Sequence, residues 1–428
     1  MRRGHAFVLG SGIAGLALGE VLTRNGWKIT VLDAASELGG DASRCTQNWF
    51  HTGWLYAALP SKAAMLGCHK ALKLFQQMYG SVVSAETLNL DFHDGAPWYP
   101  ESAQGWFAGE RVHYLYATAT SELSMLQKLV WKRHLQSLAF RRLRALGYKT
   151  DPTTAIDSRL VELLNHWEDS ERGHEKYMVV RSTDAQINTR RVLNTLLSLL
   201  GDRAQVVCDA KYTLGSDGGR TTVHIGGETH RPDMVVMATG KSIADQLIEL
   251  GAETMARRFK SVCSPIVVLN RALDLPNFIR FTPNLPATVN HIKYDIAGVG
   301  PRSTLGSYDY YAAGNAPDIS PFAKKVCGRL NVPTSYVANV YYGTKTEFTG
   351  SLERRYNHAL ERVNDNTYFA IPGKFSQFPL LAHEFAQCVG LEIGIGNLTR
   401  GLLRMEVAAT APERSHAAPR TQSAADIA

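Results

Sequence analysis

Four basic side chains in the second half of the sequence are candidates for acid–base chemistry and anion binding. The imidazole of His291 titrates near neutral pH and is suited to accept a proton from a hydroxyl or amino group. Lys293 shares a strand face with His291 and could hold an anion. The guanidinium groups of Arg280 and Arg302 match a carboxylate in a bidentate manner. These residues predict a site for an anionic small molecule, although a structural histidine and a solvated lysine fit the same pattern.

The first 33 residues predict a strand, a tight turn, a helix and a second strand. Residues 7–9 are apolar, and residues 16–25 have helical spacing that ends at Gly26. Residues 29–32 form a second apolar run, and the acid Asp33 follows it. This order of elements is typical of a βαβ unit that binds a dinucleotide.

The turn between the first strand and the helix has the spacing G-x-G-x-x-G. Gly10 permits the tight turn, Gly12 lets the backbone approach a pyrophosphate, and Gly15 lets the helix pack closely on the strand. The helix N-terminus attracts phosphate groups. Asp33 can accept hydrogen bonds from ribose hydroxyls and would repel a 2′-phosphate, which argues against NADP. The residues predicted here to contact the dinucleotide are Gly10, Ser11, Gly12, Ile13, Ala14, Gly15, Asp33 and Ala34.

A second group of nucleotide-domain elements lies in the middle of the chain. Residues 187–200 have a helical pattern, residues 205–208 form a short strand, and a buried strand begins at residue 233. The ends of these strands add Cys208, Ala238, Thr239 and Gly240 to the predicted cofactor-binding residues. Because Gly240 has no side chain, the turn that contains it can approach a cofactor closely.

The segments between these elements predict a second, β-rich domain in two pieces. One piece contains a long amphipathic helix over 121–146, and the other contains strand-like runs over 265–270, 278–282 and 287–294. The predicted fold is α/β, or α+β overall, with a Rossmann-like domain and a discontinuous substrate domain. The predicted boundaries are 1–80, 187–263 and 373–409 for the dinucleotide-binding domain, 81–186 and 264–372 for the substrate domain, and 410–428 for a disordered tail.

The composition argues against nucleic-acid binding, a metal site and a membrane-spanning segment. The net charge of +7 is modest for 428 residues and lacks a dense basic run, which favours a solvated basic surface over nucleic-acid binding. The six cysteines form no C-x-x-C pair, so we predict no metal site, and scattered thiols favour a reducing cytoplasm. No apolar run reaches transmembrane length. We therefore expect a cytoplasmic protein that acts on a small molecule.

The Ala238-Thr239-Gly240 turn, together with the N-terminal glycine motif, resembles FAD-dependent oxidoreductases of the D-amino-acid oxidase and glycine oxidase superfamily. Within it, the segments 51–63 and 290–301 are most similar to L-2-hydroxyglutarate dehydrogenases and oxidases. The resemblance implies FAD as cofactor and places His51 near the isoalloxazine ring, as a flavin tether, a catalytic group or a structural histidine. It adds Gly40 and Ser43 beside the FAD phosphates, and Gly396 and Asn397 as a turn that faces the flavin pyrimidine.

The implied activity is oxidation of a CH–OH or CH–NH group of a small, carboxylate-bearing substrate by hydride transfer to flavin N5. In that setting, His291 is the expected base, and Lys293 could also favour reduction of O2. The electron acceptor would be O2 or another carrier, and the oligomeric state stays open. Three alternatives remain: an amine or amino-acid oxidase of a biosynthetic pathway, a desaturase or isomerase acting on a larger substrate, and a flavoprotein that serves only as a binding partner.

Overall fold

The computed structural model describes residues 4–43, 45–59, 62–79, 107–119, 124–150, 176–281, 288–296, 300–309, 311–312, 319–341, 344–349 and 358–393. The strands in these ranges are β1 His5–Leu9, β2 Lys28–Leu32, β3 Trp49–Phe50, β4 Phe107–Ala119, β5 Lys176–Ile187, β6 Ala204–Val207, β7 Tyr212–Asp217, β8 Arg220–Ile225, β9 Glu228–His230, β10 Met234–Met237, β11 Phe259–Cys263, β12 Ile266–Leu269, β13 Phe278–Phe281, β14 Val289–Ile296, β15 Gly300–Ser307, β16 Tyr311–Ala312, β17 Val337–Tyr341, β18 Thr344–Phe348, β19 Ala359–Arg362 and β20 Thr367–Ile371. The α-helices are α1 Ile13–Arg24, α2 Ala63–Tyr79, α3 Met125–His134, α4 Phe140–Ala145, α5 Thr189–Leu200, α6 Ile243–Glu249, α7 Glu253–Ala256, α8 Ile319–Gly328 and α9 Phe378–Cys388.

A six-stranded sheet forms the first layer of the fold. Its strand order is β19-β20-β10-β1-β2-β6, and every pair is parallel except β19 with β20. Strands β1, β2 and β10 are almost entirely buried, as expected for parallel strands that are covered on both faces. Because parallel strands end at the same edge, the chain leaves β1, β2, β10 and β20 on one side of the sheet, where ligands bind in open α/β folds.

Helices α1, α2, α5 and α9 cover one face of this sheet and share a single hydrophobic core with it. Asn188 is the N-cap of helix α5, and its side chain accepts a hydrogen bond from the Arg191 backbone N–H at 3.0 Å. The opposite face packs against α6, α7 and the small β7–β9 sheet. The observed helices 13–24 and 189–200 confirm the expected βαβ pattern, because burial of their apolar faces agrees with their helical spacing.

An eight-stranded sheet forms the second layer. Its order is β17-β12-β15-β14-β13-β4-β5-β3, and β13 pairs parallel with β4 while the other pairs are antiparallel. Helix α8 packs on one face of this sheet. On the other face lie α3, α4 and the π-helical turn Leu135–Ala139 that joins them, so the helix expected over 121–146 is observed over 125–145 with this interruption.

Two strands near the end of the described chain belong to the first sheet. Strand β20 pairs with β10, and β19 pairs with β20. The predicted domain boundary at residue 372 therefore lies after these two strands, whereas the sheet pairing places it before them. Residues 359–371 contain no glycine motif that would mark them as part of the dinucleotide-binding domain. They belong to its sheet because they pair with a strand that is distant in the sequence. Residues 410–428, 396 and 397, about which predictions were made above, lie outside the described residues.

Candidate functional site

A cavity of about 1140 Å³ lies at the carboxyl edge of the six-stranded sheet and extends to the eight-stranded sheet. Its walls include Gly10 and Ala238 from the first sheet, and Ile279, Asn290 and Gly306 from the second. A pocket for one small ligand usually has a volume of roughly 300–1,000 Å³. The size of this cavity therefore fits a dinucleotide together with a small substrate.

The turn after β1 and the first turn of α1 each contain one position where only glycine fits. Gly10 has a φ of +94°, and a Cβ added there would lie 2.5 Å from the Ala238 carbonyl oxygen. A Cβ at Gly15 would lie 1.8 Å from the Gly10 carbonyl oxygen, which is a severe clash. Gly15 thus lets α1 pack against the turn, as its place in the motif predicts, and it does not line the cavity.

Asp33 lies at the end of β2 and joins the glycine turn to the second strand. One carboxylate oxygen accepts hydrogen bonds from the Ser11 backbone N–H at 2.6 Å and from the Ser11 hydroxyl. The other accepts the Ala35 backbone N–H at 2.8 Å. Asp33 also lines the cavity, whereas Ser11 is fully buried behind it. Ser11 therefore orients Asp33 rather than facing a ligand.

The loop after β2 folds over the N-terminus of α1. The Ser43 hydroxyl accepts the Ile13 backbone N–H at 2.9 Å, and the Ser11 hydroxyl accepts the Gly39 backbone N–H at 3.0 Å. A Cβ added at Gly12 would lie 3.1 Å from the Ser43 hydroxyl oxygen and meet no other atom of the described residues within 4 Å. The backbone at Gly12 is therefore open toward the cavity, which fits the close approach of a pyrophosphate.

Most of the predicted cofactor-binding residues meet in this cavity. Those that line it are Gly10, Gly12, Ile13, Ala14, Asp33, Ala34, Gly40, Ser43, Ala238, Thr239 and Gly240. Ser11, Gly15 and Cys208 do not line it, and Cys208 is only partly buried at the end of β6. The two remaining candidates, Gly396 and Asn397, lie in a segment that the structure does not describe.

His51 lies farther along the cavity, beside a fully buried carboxylate. His51 Nδ1 is 3.4 Å from an Asp184 carboxylate oxygen, which also accepts Trp49 Nε1–H at 3.1 Å and the Tyr114 hydroxyl at 2.7 Å. The other oxygen of Asp184 accepts the Thr52 backbone N–H at 2.8 Å and the Thr52 hydroxyl at 2.7 Å. Because a carboxylate only accepts, Nδ1 of His51 carries the hydrogen and Nε2 is left as an acceptor.

The protonation of His51 reflects this environment. Burial lowers the pKa of His51 below its usual value of 6.5, and the nearby Lys374 and Lys345 lower it further, while Asp184 opposes these effects. The imidazole is therefore neutral at pH 7. The His51 ring also stacks on Trp49 at 4.9 Å between centroids, so its orientation is fixed from two sides.

Three functional candidates at this end of the cavity were missed in the sequence. Lys345 and Lys374 line the cavity and carry the positive charge that the prediction had placed on Arg280 and Arg302. Lys374 Nζ lies 5.7 Å from the Tyr56 ring centroid, and that ring lies 5.6 Å from the ring of His51. The third candidate is Asp184, in β5. The turn Pro372-Gly373, directly after a β-branched and aromatic run, could have indicated Lys374 as a residue at a strand end.

The prediction that His291 faces the substrate is wrong in position, because the side chains of a strand alternate between its two faces. Asn290 lines the cavity, whereas His291 points to the opposite face and is fully buried. Its Nδ1 lies 2.8 Å from the Pro276 carbonyl oxygen and its Nε2 lies 2.7 Å from the Ser303 hydroxyl. Both ring nitrogens are thus used within the sheet, and His291 has a structural role.

The other three basic candidates also lie outside the cavity lining. Arg280 is 3% exposed and alternates with Ile279 and Phe281, which do line the cavity. Lys293 is on the same strand face as His291, and Arg302 is a partly exposed residue whose guanidinium donates to the Pro301 carbonyl oxygen. The carboxylate clamp predicted for Arg280 and Arg302 is therefore not formed at this cavity.

The buried His291 predicts a loss of stability in acid. Burial lowers its pKa to about 4, whereas the unfolded chain titrates near 6.5. Between these values the unfolded state binds the proton and the folded state does not, so stability should fall by about 1.4 kcal/mol for each pH unit. We expect His291→Asn to show a smaller decrease of the thermal midpoint between pH 6.5 and 4 than the parent. An identical pH slope in both proteins would contradict this interpretation.

Two kinds of feature are absent from the described part of the chain. No group of three or more His, Cys, Asp or Glu side chains there is arranged to hold a metal ion. Among the helices in the same ranges, none combines the length and apolar character that a bilayer-spanning helix needs.

Several oxidases and dehydrogenases of known structure have the same fold as this chain. Glycine oxidase from Geobacillus kaustophilus has a TM-score of 0.62 and 13% identity, with 90% of this chain and 94% of that chain covered. L-proline dehydrogenase from P. horikoshii has a TM-score of 0.63 and 13% identity, with 92% and 96% covered. An FAD-dependent oxidoreductase from Pseudomonas aeruginosa has a TM-score of 0.54 and 16% identity, with 98% and 95% covered.

Comparison with curated protein sequences gives no match. The family model of the FAD-dependent oxidoreductases called DAO matches residues 5–330, which is most of the chain. This match confirms the predicted superfamily and FAD as the cofactor, while the narrower similarity to L-2-hydroxyglutarate enzymes stays a prediction. The glycine turn, Asp33 and the cavity beyond them fit this cofactor. The chain belongs to the DAO family of FAD-dependent oxidoreductases.

Proposed function

We propose that this oxidoreductase removes hydride from a carbon that carries an amino or hydroxyl group, in a small molecule that also carries a carboxylate. The observation that carries the proposal is the joint presence of neutral His51 and cationic Lys374 in the lining of one cavity, both beside the Tyr56 ring. A proton acceptor assists oxidation of an amino acid or a 2-hydroxy acid, and a positive charge can bind the carboxylate that both substrates carry.

The glycine turn and the end of β2 are the proposed holders of the cofactor. The backbone at Gly12 and the N-terminus of α1 would bind the pyrophosphate, and Asp33 would accept hydrogen bonds from the adenosine ribose. Ala238, Thr239 and Gly240 border the same part of the cavity. FAD, when bound, supplies the hydride acceptor, and the protein supplies position and electrostatics.

His51 is the proposed proton acceptor in place of His291. Its Nε2 is unprotonated when Nδ1 donates to Asp184, and its lowered pKa keeps the ring neutral at pH 7. The imidazole can then take the proton from the substrate amine or hydroxyl as hydride leaves the neighbouring carbon. Asp184 would hold the ring in this orientation and stabilise the imidazolium that forms.

Lys374 and Lys345 are the proposed anchors of the substrate carboxylate. Both line the cavity and both act on the charge of His51, which indicates that they lie near it. A charged hydrogen bond to a carboxylate typically contributes about 1.5–3 kcal/mol. We therefore expect Lys374→Met to raise the dissociation constant of the substrate by about 10-fold to 100-fold. The control is Lys260→Met, because Lys260 is an exposed residue of β11 outside the cavity lining.

The experiment is anaerobic reduction of the bound flavin, followed by its absorbance, with amino acids and 2-hydroxy acids as separate series. Reduction by members of one series, with weaker binding in Lys374→Met and unchanged binding in Lys260→Met, would support the proposal. If dithionite reduces the flavin but no member of either series does, the proposed reaction is wrong. Where a substrate does reduce the flavin, oxygen uptake during turnover would distinguish O2 from another electron acceptor.

A further inference from the structure

One wall of the cavity near His51 is apolar. Leu55 and Leu59 contribute to it from the segment after β3, and Ile279 and Phe281 contribute from β13. Ile279 and Phe281 are 3% and 4% exposed, so their side chains are buried around this part of the cavity. Four aliphatic or aromatic side chains around one space are typical of a subsite for an apolar group.

Residues of α3 and α4 contact the apolar wall on the side away from the cavity. The Phe281 ring stacks on Trp131 of α3, with 6.2 Å between centroids and an interplanar angle of 11°. Arg142 donates to the Leu59 carbonyl oxygen at 2.5 Å, and His134 Nε2 lies 3.0 Å from the Ala58 carbonyl oxygen. The same helical segment therefore fixes both sides of the subsite, which reduces the entropy cost of filling it.

Polar groups lie next to the apolar wall among the described residues. Ile279 and Asn290 are direct partners across β13 and β14, and Asn290 Oδ1 accepts a hydrogen bond from Gln47 at 2.6 Å. Thr288 also lines the cavity and is 2% exposed, and its hydroxyl has no hydrogen-bond partner among the residues that the structure describes. A buried hydroxyl without a partner is unfavourable, so a polar group of a ligand at this position would be favourable. The cavity thus separates a polar side from an apolar side next to His51.

We infer that the substrate carries a bulky apolar side chain, branched aliphatic or aromatic, that occupies the space between Leu59 and Phe281. This inference rests on the proposed function, because it places the reacting carbon at His51 and the carboxylate near Lys374. Each buried methylene group is expected to improve binding about fourfold. A substrate with the side chain of leucine should therefore be preferred about 50-fold over one with the side chain of alanine.

The test measures anaerobic flavin reduction by alanine, 2-aminobutyrate, norvaline, leucine and phenylalanine, and by the corresponding 2-hydroxy acids. The second-order rate constant should increase with side-chain size in the parent protein. In Phe281→Ala, it should fall at least about tenfold for leucine and phenylalanine and stay near the parent value for alanine. Leu59→Ala is a second variant with a smaller effect in the same direction. Leu129→Ala is the matched control, because Leu129 is 60% exposed on α3.

A second measurement separates the subsite from the reaction. Acetate, butanoate, hexanoate and 3-phenylpropanoate have no amino or hydroxyl group at C2, and their binding is followed by perturbation of the flavin spectrum. Tighter binding of the longer acids, lost in Phe281→Ala, would support the subsite even if no amino or hydroxy acid reduced the flavin. Equal binding of acetate and hexanoate, or an equal loss for all lengths in both variants, would overturn the inference.

Discussion

Replacing Gly12 with valine is expected to give a folded protein that has lost FAD. The Gly12 backbone is extended, with φ −67° and ψ −180°, which valine can adopt, and the Ser43 hydroxyl must shift slightly because the new Cβ would lie 3.1 Å from it. Its side chain would point toward Ser43, into the space proposed for the pyrophosphate. We expect the dissociation constant for FAD to rise at least about 100-fold, equivalent to about 2.7 kcal/mol. Flavin absorbance after reconstitution, together with circular dichroism, measures cofactor content and folding separately.

Loss of FAD in a glycine variant is evidence about the pyrophosphate site only if the substitution leaves the fold intact. Gly15→Ala should unfold the turn, because its Cβ would overlap the Gly10 carbonyl oxygen. Loss of FAD in that variant would therefore not show where the pyrophosphate binds. Gly328→Ala is a suitable control, since an added Cβ meets nothing within 4 Å at the end of α8. A Gly12→Val protein that retains a full complement of FAD would show that the pyrophosphate does not lie against this turn.

Replacing His51 with alanine or asparagine is expected to slow anaerobic flavin reduction by about 10²–10⁴-fold while FAD stays bound. Asparagine keeps part of the shape of the ring but cannot accept the proton, so both variants should be slow. His291→Asn serves as the matched control, because both nitrogens of His291 are bonded within the sheet away from the cavity. Rapid reduction in both His51 variants would exclude His51 as the proton acceptor.

The pH profile gives an independent test of the same group. The rate constant for reduction should rise with pH through the pKa of His51, below 6.5, and then level off, because only the neutral ring accepts a proton. Asp184 raises that pKa, so Asp184→Asn should move the acid limb to lower pH and reduce the plateau. An acid limb that stays in place in Asp184→Asn would show that Asp184 does not act on the reacting base.

The cofactor end of the site could be predicted because its signals are local. The turn at Gly10, the helix after it and Asp33 at the end of β2 all lie within the first 33 residues, and each requires a particular residue type. Only glycine fits at positions 10 and 15 because any Cβ would clash there, so this spacing of glycines indicates a tight turn followed by a closely packed helix. Short-range geometry of this kind is readable from spacing alone.

The substrate end could not be predicted in the same way, because it depends on strand parity and long-range pairing. His291 was placed on the correct strand but on the wrong face, since moving one residue along a strand reverses the direction of the side chain. Asp184 and His51 are in contact although they are 133 positions apart in the sequence. Lys374 follows β20, which pairs with β10, a strand that begins at Met234. A local sequence pattern does not indicate which distant residues will be in contact, so these contacts are visible only in the folded chain.

A crystal structure of the chain reconstituted with FAD would test the central claim most directly. The account predicts the pyrophosphate at Gly12, the adenosine ribose hydrogen-bonded to Asp33, and the isoalloxazine ring in the same cavity as His51 and Lys374. An isoalloxazine ring bound away from His51, or adenosine bound away from Asp33, would contradict it.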